Sequence, residues 1–433
     1  MEPKYYKHNL KNGLKILFIP ILNSKFISVA LQTNIGEDYE TPNSKDLEIV
    51  HTLEHLFGYF TSKKYPNGKK NSFNLEKLGI DTQASVDEMS TNYSLSGNIK
   101  YMDMIIDIIY NTFSNFKIDT SIFEEEKLAI IQELNDIIND TWYKLEEMNN
   151  HLLYRNHLRS VSQKIKKKNL KNITPNMIIN FYNTYYSTQN TTITITGDYN
   201  YKKKLASIIN TFESIKPKPL KIKNYSVLFE PKLSYTPIKD AVSSNIYLFF
   251  KLDKTYFSEE YFRYNSISDI LTDGLESRLY KALRGRGLVY SVNSEIDVHV
   301  YNECLGYFII NTQSENKNIV NVVKIILTEL NKLKKNKITS SEIEKLKNVY
   351  ESEYITKINN NKITTYSKLY TKYFAWNRKL ITLKTLLNKK IKINSELIRS
   401  DCVKIFDIKN MVISYGGNKN VLKNINSLCK ILN

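Results

Sequence analysis

The sequence has few cysteines, no long apolar run and fewer acidic than basic residues. Its three cysteines, Cys304, Cys402 and Cys429, are odd in number and far apart, which argues against a disulfide scaffold and fits a reducing compartment. No run of about 18 apolar residues exists, so no membrane span is expected. The first ten residues, MEPKYYKHNL, contain no apolar stretch typical of a secretory signal. We therefore expect a soluble, intracellular protein of unspecified compartment.

The deficit of acidic residues leaves a formal net charge of +18, from 62 Lys and Arg against 44 Asp and Glu. Such a charge is compatible with binding to nucleic acid, to an acidic membrane or to acidic substrates. The lysines are spread along the chain, however, and no recognised nucleic-acid motif accompanies them. The charge therefore favours a generally lysine-rich surface, and no nucleic-acid partner is expected.

The length of 433 residues suits two domains of about 200 residues each. The best boundary is the stretch SIKPKPLKIKN, Ser214–Asn224, which has two prolines and repeated lysines. It predicts domains at 1–213 and 225–433. The second half also repeats the first weakly, since IDTSIFEEEKL begins at Ile118 and ITSSEIEKLKN at Ile338. Both halves mix strands and helices without regular βαβ alternation, which favours two similar α+β domains.

Local patterns predict several strands and helices. Hydrophobic periodicity and turn residues place them as follows: strands at Leu14–Ile19, Phe26–Thr33 and Thr191–Thr196, strand-like sequence at Gln83–Gly97, and helices at Lys45–Phe60 (capped by Asn43 or Ser44), Lys100–Phe116 and Ser121–Asp136 (with a capping box of Ser121 and Glu124).

The run His51-Thr52-Leu53-Glu54-His55 is the strongest chemical signal. His51 and His55 are i and i+4 on one predicted helix, so both imidazoles face the same side and can bind one zinc ion at about 2.0–2.1 Å. Zinc lowers the pKa of a bound water towards about 7, and Glu54 lies close enough to take the proton. The order HxxEH is the reverse of the commoner HExxH. The alternative is a surface helix with solvated histidines, or a half-buried pair with satisfied hydrogen bonds.

A catalytic zinc site also needs a third protein ligand. The predicted helix Ser121–Asp136 offers Glu126 and Glu133, which are seven residues apart and share one face. Their neighbours on that stripe, Ala129 and Ile130, are apolar, so two carboxylates there call for an explanation. The alternative is that all the glutamates of this helix face water.

At this point the sequence resembles the pitrilysin/insulinase family of inverted zincins, over nearly the whole chain. The resemblance lies in HTLEH, in Glu133 at 78 positions after His55, and in four segments in the family's order. These segments are LKNGLKILFIP from Leu10, HTLEHLFGYFTSKKYP from His51, FYNTYYSTQNTTITITGDYN from Phe181 and GLESRLYKALRGRGLVYSV from Gly274. The resemblance implies two homologous α+β domains, each an antiparallel-rich sheet with helices packed on one side.

The resemblance also implies roles for the residues of the first half. His51, His55 and Glu133 would bind one Zn²⁺ per chain, and Glu54 would be the general base. Glu126 matches a glutamate that orients the site without binding the metal.

Three further positions follow from the same resemblance. Gln83 and Ala84 fall where the family has Asn-Ala on an edge strand that pairs with the substrate backbone. Arg284 and Tyr290 match the Arg and Tyr that the family brings to the scissile peptide. Their spacing is one residue shorter than usual, which leaves Arg286 as the alternative to Arg284.

One departure from the family pattern concerns the residue three positions before the first histidine. The family often has glycine there, and this chain has Glu48. The sequence suggests no role for that change.

The expected activity is that of a zinc metalloendopeptidase acting on extended or unfolded peptides, with Tyr290 and an arginine supporting the oxyanion. The alternative is a non-catalytic subunit of the same fold. Every element of HxxEH is present here, which argues against that alternative. Active family members enclose their substrate with four such domains, and this chain supplies two. We therefore expect a homodimer, with a heterodimer possible.

Overall fold

The protein is built from two α+β units, seen in a computed structural model that describes residues 2–41, 45–219, 233–239, 241–300, 306–360, 362–418 and 427–428. The first unit comprises Met1–Ile138, Gln163–Asn224 and Tyr354–Thr385. The second comprises Asn139–Ser162, Tyr225–Glu353 and Leu386–Asn433. Neither unit is therefore continuous in sequence, because a segment of each half of the chain belongs to the unit formed mainly by the other half.

Strands form where β-branched and apolar residues dominate, as in TTITIT at the start of β6. The strands of the described residues are β1 (Tyr6–Asn9), β2 (Lys15–Pro20), β3 (Phe26–Thr33), β4 (Asp81–Val86), β5 (Thr91–Asn98), β6 (Thr191–Gly197), β7 (Leu233–Pro237), β8 (Ser243–Leu252), β9 (Val289–Asp297), β10 (Gly306–Glu315) and β11 (Met411–Gly417).

The helices surround two sheets. Those of the described residues are α1 (Ile49–Phe57), α2 (Gly68–Lys77), α3 (Met102–Asn115), α4 (Thr120–Asn139), α5 (Tyr143–Leu153), α6 (Gln163–Leu170), α7 (Pro175–Tyr185), α8 (Tyr201–Glu213), α9 (Glu259–Thr272), α10 (Arg278–Leu283), α11 (Ile319–Lys335), α12 (Ser340–Asn360), α13 (Lys362–Ala375), α14 (Leu383–Ile391) and α15 (Ser395–Ile405). None of the helices in the described ranges is both long enough and apolar enough to cross a bilayer.

The two sheets share one topology. The first has the order β1-β2-β6-β3-β5-β4, and the second has the order β7-β11-β8-β10-β9. In each sheet one pair is parallel, β2 with β6 and β7 with β11, and the pairs that follow are antiparallel. After β1, the strands of the first sheet therefore correspond one to one, in chain order and in direction, with those of the second. This correspondence confirms the predicted fold class of two homologous α+β domains.

Each sheet has helices on both faces, so the expectation of helices packed on one side only is wrong in this detail. In the first unit Ile193 and Ile195 of β6 point into the main core, which α1, α3, α4, α7 and α8 also line. The intervening Thr194 points the other way and its hydroxyl hydrogen-bonds that of Thr371 on α13. The matching helix in the second unit is α5, where Leu153 packs with Phe249 and Val412. Thus α13 and α5 cover the faces of the sheets that point away from the main cores.

Several local predictions can be compared directly with the structure. The predicted strand Phe26–Thr33 has the observed bounds of β3. Helix α1 begins four residues later than predicted, because Glu48 has a left-handed backbone (φ 75°) that cannot belong to the helix. The predicted capping box is wrong, since Asp119 accepts the backbone N–H of Ser121, which is already the second residue of α4.

Other predictions fall wholly or partly outside the described residues. These are the caps Asn43 and Ser44, residues 220–224 of the predicted linker, and Cys304 and Cys429. The domain boundary at 214–224 stays a prediction.

Candidate metal centre

Helix α1 carries the histidines and is held by its apolar face. Val50, Leu53 and Phe57 are buried in the core of the first unit. This packing fixes the rotation of the helix about its axis, which places His51 and His55 on a half-buried face. The orientation of both imidazoles therefore follows from the apolar pattern of the helix.

The start of α1 is capped from a distance. Glu48, the residue before the helix, makes no capping hydrogen bond with its own side chain. Instead the buried carboxyl of Glu40 accepts the N–H of Val50 at 2.7 Å and that of Glu48 at 3.0 Å. Burial, together with the nearby Glu48 carboxylate, raises the pKa of Glu40 well above its ordinary value. Glu40 thus satisfies two backbone donors that the first turn leaves without helical partners.

Helix α4 brings two carboxylates to the histidines, as the seven-residue spacing predicts. Glu133 Oε2 lies 3.5 Å from His51 Nε2 and 3.9 Å from His55 Nε2, and the two Nε2 atoms are 3.2 Å apart. Together these three side chains form a group able to hold a metal ion. Glu126 lies behind His55, with Oε2 at 2.8 Å from Nδ1.

The hydrogen bonds at the far side of each ring decide which atoms face inwards. His51 Nδ1 lies 2.9 Å from Glu48 Oε2, just as His55 Nδ1 lies against Glu126. An ionised carboxylate only accepts hydrogen bonds, so both Nδ1 atoms carry hydrogen and, in the neutral rings, both Nε2 atoms present lone pairs. Three acceptors, the two Nε2 atoms and Glu133 Oε2, therefore converge on one point.

Converging acceptors call for a cation, and the separations fit zinc. Ligand atoms at about 2.0–2.2 Å from a tetrahedral zinc lie roughly 3.3–3.6 Å from one another. The observed separations of 3.2, 3.5 and 3.9 Å bracket that range. Two imidazoles and one carboxylate are also a donor set of known catalytic zinc sites. The residues present thus fit a zinc ion.

Charge is balanced behind His51. The Glu48 side chain is only 2% exposed, and its second oxygen lies 3.3 Å from Lys166 Nζ. Burial alone would raise the pKa of the Glu48 carboxyl, but the His51 hydrogen bond and the Lys166 charge hold it below its ordinary value. Burial alone would lower the pKa of the His51 imidazole, but the hydrogen bond with Glu48 and the charge of that carboxylate raise it above its ordinary value. Lys166 is held in turn by Glu37 at 3.1 Å.

A similar arrangement lies behind His55. Glu126 accepts from Tyr59, whose hydroxyl is 2.5 Å from Oε1. Hydrogen bonds from His55 and Tyr59 hold the pKa of the Glu126 carboxyl below its ordinary value. Burial and the neighbouring Glu126 raise the pKa of the Tyr59 hydroxyl, so it stays a hydrogen-bond donor.

Glu54 is the remaining carboxylate of the cluster. Its Oε2 lies 3.7 Å from His55 Nε2, beside the point where the three acceptors converge. Burial raises the pKa of Glu54, against the opposing effect of the two imidazoles. Within the described residues this carboxylate makes no hydrogen bond, so its oxygens can interact with a water or a substrate.

The substrate residues suggested for the first unit lie on β4, at the edge of the first sheet. Helix α1 lies against this strand. Gln83 is exposed and its amide donates to Asp81 at 3.0 Å, while Ala84 pairs with Tyr93 of β5. Within the described part of the chain no strand pairs with the outer edge of β4, so its backbone groups can bind an added strand.

The other suggested substrate residues belong to the second unit. Tyr290 lies on β9 and is 80% exposed. The guanidinium of Arg284 lies over its ring, 4.8 Å from the centroid, and donates to its carbonyl oxygen. The structure therefore brings Arg284 together with Tyr290, which favours Arg284 over Arg286 as the partner of this tyrosine.

Two family comparisons match consecutive parts of the chain. The insulinase family (peptidase family M16) matches residues 17–166, which include the whole His51, Glu54, His55, Glu126 and Glu133 cluster. The peptidase M16 inactive domain matches residues 172–350. The chain belongs to the pitrilysin/insulinase family.

Relatives in this family are distant in sequence. The zinc protease PqqE of Helicobacter pylori is 24% identical over 368 residues, which are 82% of this chain and 80% of that protein. The beta subunit of the mitochondrial-processing peptidase of Dictyostelium discoideum is 23% identical over 226 residues, 50% of this chain and 47% of the subunit. The insulin-degrading enzyme of Drosophila melanogaster is 22% identical over 252 residues, and the match spans only 25% of that longer protein.

Solved structures share the fold of this chain. A protease from Helicobacter pylori superimposes with a TM-score of 0.81 at 19% identity, covering 96% of this chain and all of that one. A peptidase M16 inactive domain from Pseudomonas fluorescens gives the same TM-score at 16% identity, covering 96% of this chain and 98% of that one.

Sequence reasoning assigned no role to four residues around the cluster. Glu48 and Tyr59 could have been found, because they lie three residues before His51 and four after His55, at helical spacing. Glu40 and Lys166 carry no such signal, since they reach the site through the tertiary fold.

Proposed function

We propose that this pitrilysin/insulinase-family protein is a zinc metalloendopeptidase. The proposal rests above all on one observation: His51, His55 and Glu133 converge as three acceptors, with Glu54 beside them. Relatives named zinc proteases support the metal. The proposed ligands are His51, His55 and Glu133, with one Zn²⁺ per chain.

A zinc ion in such a site acts as a Lewis acid towards water and towards the scissile carbonyl. In the proposed mechanism Glu54 takes a proton from the attacking water and passes it to the leaving amine. Glu126 holds the ring of His55 so that Nε2 faces inwards. Arg284 and Tyr290 are assigned to the developing oxyanion from the family resemblance.

The proposed substrate is an extended or unfolded peptide. An edge strand such as β4 binds an extended segment through backbone hydrogen bonds, whatever the sequence of that segment. Gln83 and Ala84 would contact the substrate by their main-chain groups. The exposed amide of Gln83 adds one donor at this edge.

Two substitutions test the metal and the chemistry separately. Glu54→Gln should keep about one zinc per chain and lose at least about 100-fold in turnover of a quenched fluorescent peptide, because an amide cannot accept the proton. Glu133→Gln should lose zinc as well as turnover, since a neutral amide is a poor zinc ligand. Glu124→Gln changes an exposed glutamate of the same helix and should alter neither.

The results separate the proposal from the alternative, a non-catalytic subunit of the same fold. A wild-type protein that takes up no zinc from zinc-supplemented buffer would refute the metal centre. Zinc binding without cleavage of any peptide, in a broad peptide library, would support the non-catalytic alternative. Full turnover by Glu54→Gln would show that another group takes the proton.

A further inference from the structure

Glu48 occupies a backbone conformation that suits another residue. Its φ of 75° lies in the left-handed region, where side chains with a Cβ are unfavourable and glycine is not. Glycine is also what the resemblance leads one to expect at this position. The carboxylate is nevertheless kept here and is almost completely buried. A glutamate at this position costs free energy, both through its backbone conformation and through the desolvation of its carboxylate. Its side-chain contacts must therefore make a contribution that offsets this cost.

Those contacts point to His51. One carboxylate oxygen accepts the Nδ1–H of His51 at 2.9 Å, and the other lies 3.3 Å from Lys166 Nζ. The residue is tied on its main chain too, because its N–H donates to Glu40 and its carbonyl accepts the Thr52 hydroxyl at 2.5 Å. The carboxylate therefore has a fixed position behind the imidazole ring.

We propose that Glu48, balanced by Lys166, is the positioning residue for His51, holding its ring in the Nδ1–H tautomer with Nε2 turned to the metal. This inference rests on the proposed function. It gives His51 the kind of support that Glu126 gives His55, so that each histidine has its own carboxylate partner. Carboxylates bonded to metal-binding histidines fix the ring and increase its basicity, and their loss typically costs about 10–100-fold in metal affinity or activity.

Lys166 explains how a second buried carboxylate is tolerated next to the site. Its ammonium lies between Glu48 and Glu37, at 3.3 and 3.1 Å. Burying a carboxylate with no cation beside it would be strongly unfavourable. With Lys166 in place, Glu48 accepts a hydrogen bond from His51 without adding net charge to the site.

The competing interpretation is that Glu48 and Lys166 form an ion pair that only stabilises the fold. The two interpretations differ in the effect they predict for Glu48→Gly on zinc affinity. Under the competing one, Glu48→Gly changes thermal stability and leaves zinc affinity alone. Under the proposal, the relieved backbone keeps the fold while His51 loses its support.

The test measures zinc affinity by competition with a chromophoric chelator, on the full-length chain. We expect the zinc Kd to rise about 30–100-fold for Glu48→Gly and about 10-fold for Glu48→Gln, which keeps an uncharged acceptor. Glu37→Gln is the matched control, because it removes the other carboxylate from Lys166 without touching His51. Its zinc Kd should stay within about threefold of the wild type.

A second readout follows His51 itself in the metal-free protein. Long-range ¹⁵N–¹H correlation spectra of histidine-labelled protein, which has six histidines, report the tautomer of each ring. His51 should be the Nδ1–H tautomer in the wild type and in Glu37→Gln, and a mixture in Glu48→Gly. This signature would not change if Glu48 served only stability.

The outcomes are separable. If the wild type binds zinc and both Glu48 variants bind it within threefold, the inference is wrong and the proposed function stands. If the wild type binds no zinc, the proposed function fails and the inference fails with it. Should Glu48→Gly not fold, Glu48→Gln still decides, because it keeps the size of the side chain and removes its charge.

Discussion

Replacing Glu40 with alanine tests whether its carboxyl holds the first turn of α1, the helix that carries two of the proposed zinc ligands. The change removes the acceptor of two buried backbone N–H groups, those of Glu48 and Val50. An unsatisfied buried donor costs roughly 1–3 kcal/mol, and removal of the carboxyl relieves part of its own burial cost. We expect Glu40→Ala to lower the free energy of unfolding by about 2–4 kcal/mol.

That loss corresponds to a fall in Tm of about 5–15 °C for a unit of this size. The measurement is differential scanning calorimetry of the metal-free chain, with Glu124→Ala as an exposed control that should shift Tm by less than about 2 °C. If Glu40→Ala behaves like that control, the capping role is refuted. Zinc affinity should also fall, since the turn that carries His51 would fray.

The same residue makes a prediction about pH. Its pKa is raised in the folded state, so the protonated carboxyl favours folding. This contribution is complete below the unfolded-state pKa of about 4.5 and is lost as the pH rises through the folded-state pKa. The stability of the wild type relative to Glu40→Gln, which does not titrate, should therefore decrease as the pH increases above about 4.5. An unchanged difference from pH 5 to pH 9 would show that the carboxyl is not shifted.

Two further predictions concern the thiol and the assembly. Burial raises the pKa of the Cys402 thiol to about 12. Mass-spectrometric mapping should therefore find this thiol unreactive towards iodoacetamide at pH 8 until the chain is unfolded in urea. Rapid labelling of the native protein would contradict the burial of Cys402. The proposed homodimer should sediment at twice the chain mass of 50.6 kDa. An active species that is purely monomeric would refute it, and a second polypeptide that co-purifies with activity would indicate the heterodimer.

The elements that the sequence predicts well are those with strong local periodicity. FISVALQT alternates clearly enough to give the bounds of β3, and TTITIT gives those of β6 to within one residue. The spacing of Glu126 and Glu133 was also sufficient to place both on the side of α4 that meets the histidines. Local pattern works here because each signal repeats over several turns or pleats.

What the sequence could not predict depends on long-range contacts. The start of α1 is set by Glu40, eight residues before Glu48, and by the left-handed backbone at Glu48. Lys166 belongs to a lysine-rich stretch that looks solvated, yet it is buried between two glutamates. No periodicity in α13 or α5 reveals which sheet each will cover.

Helices α5 and α13 each belong to the unit that is formed mainly by the other half of the chain. This arrangement has a consequence for synthesis of the chain on the ribosome. A ribosome releases the chain in order, and the proposed metal-binding residues, the last of which is Glu133, emerge early. The face of the first sheet that carries Thr194, however, is covered by α13, which ends at Ala375. The first unit therefore cannot be completed until most of the chain has been translated, so the proposed zinc ligands are made long before the unit that carries them is complete.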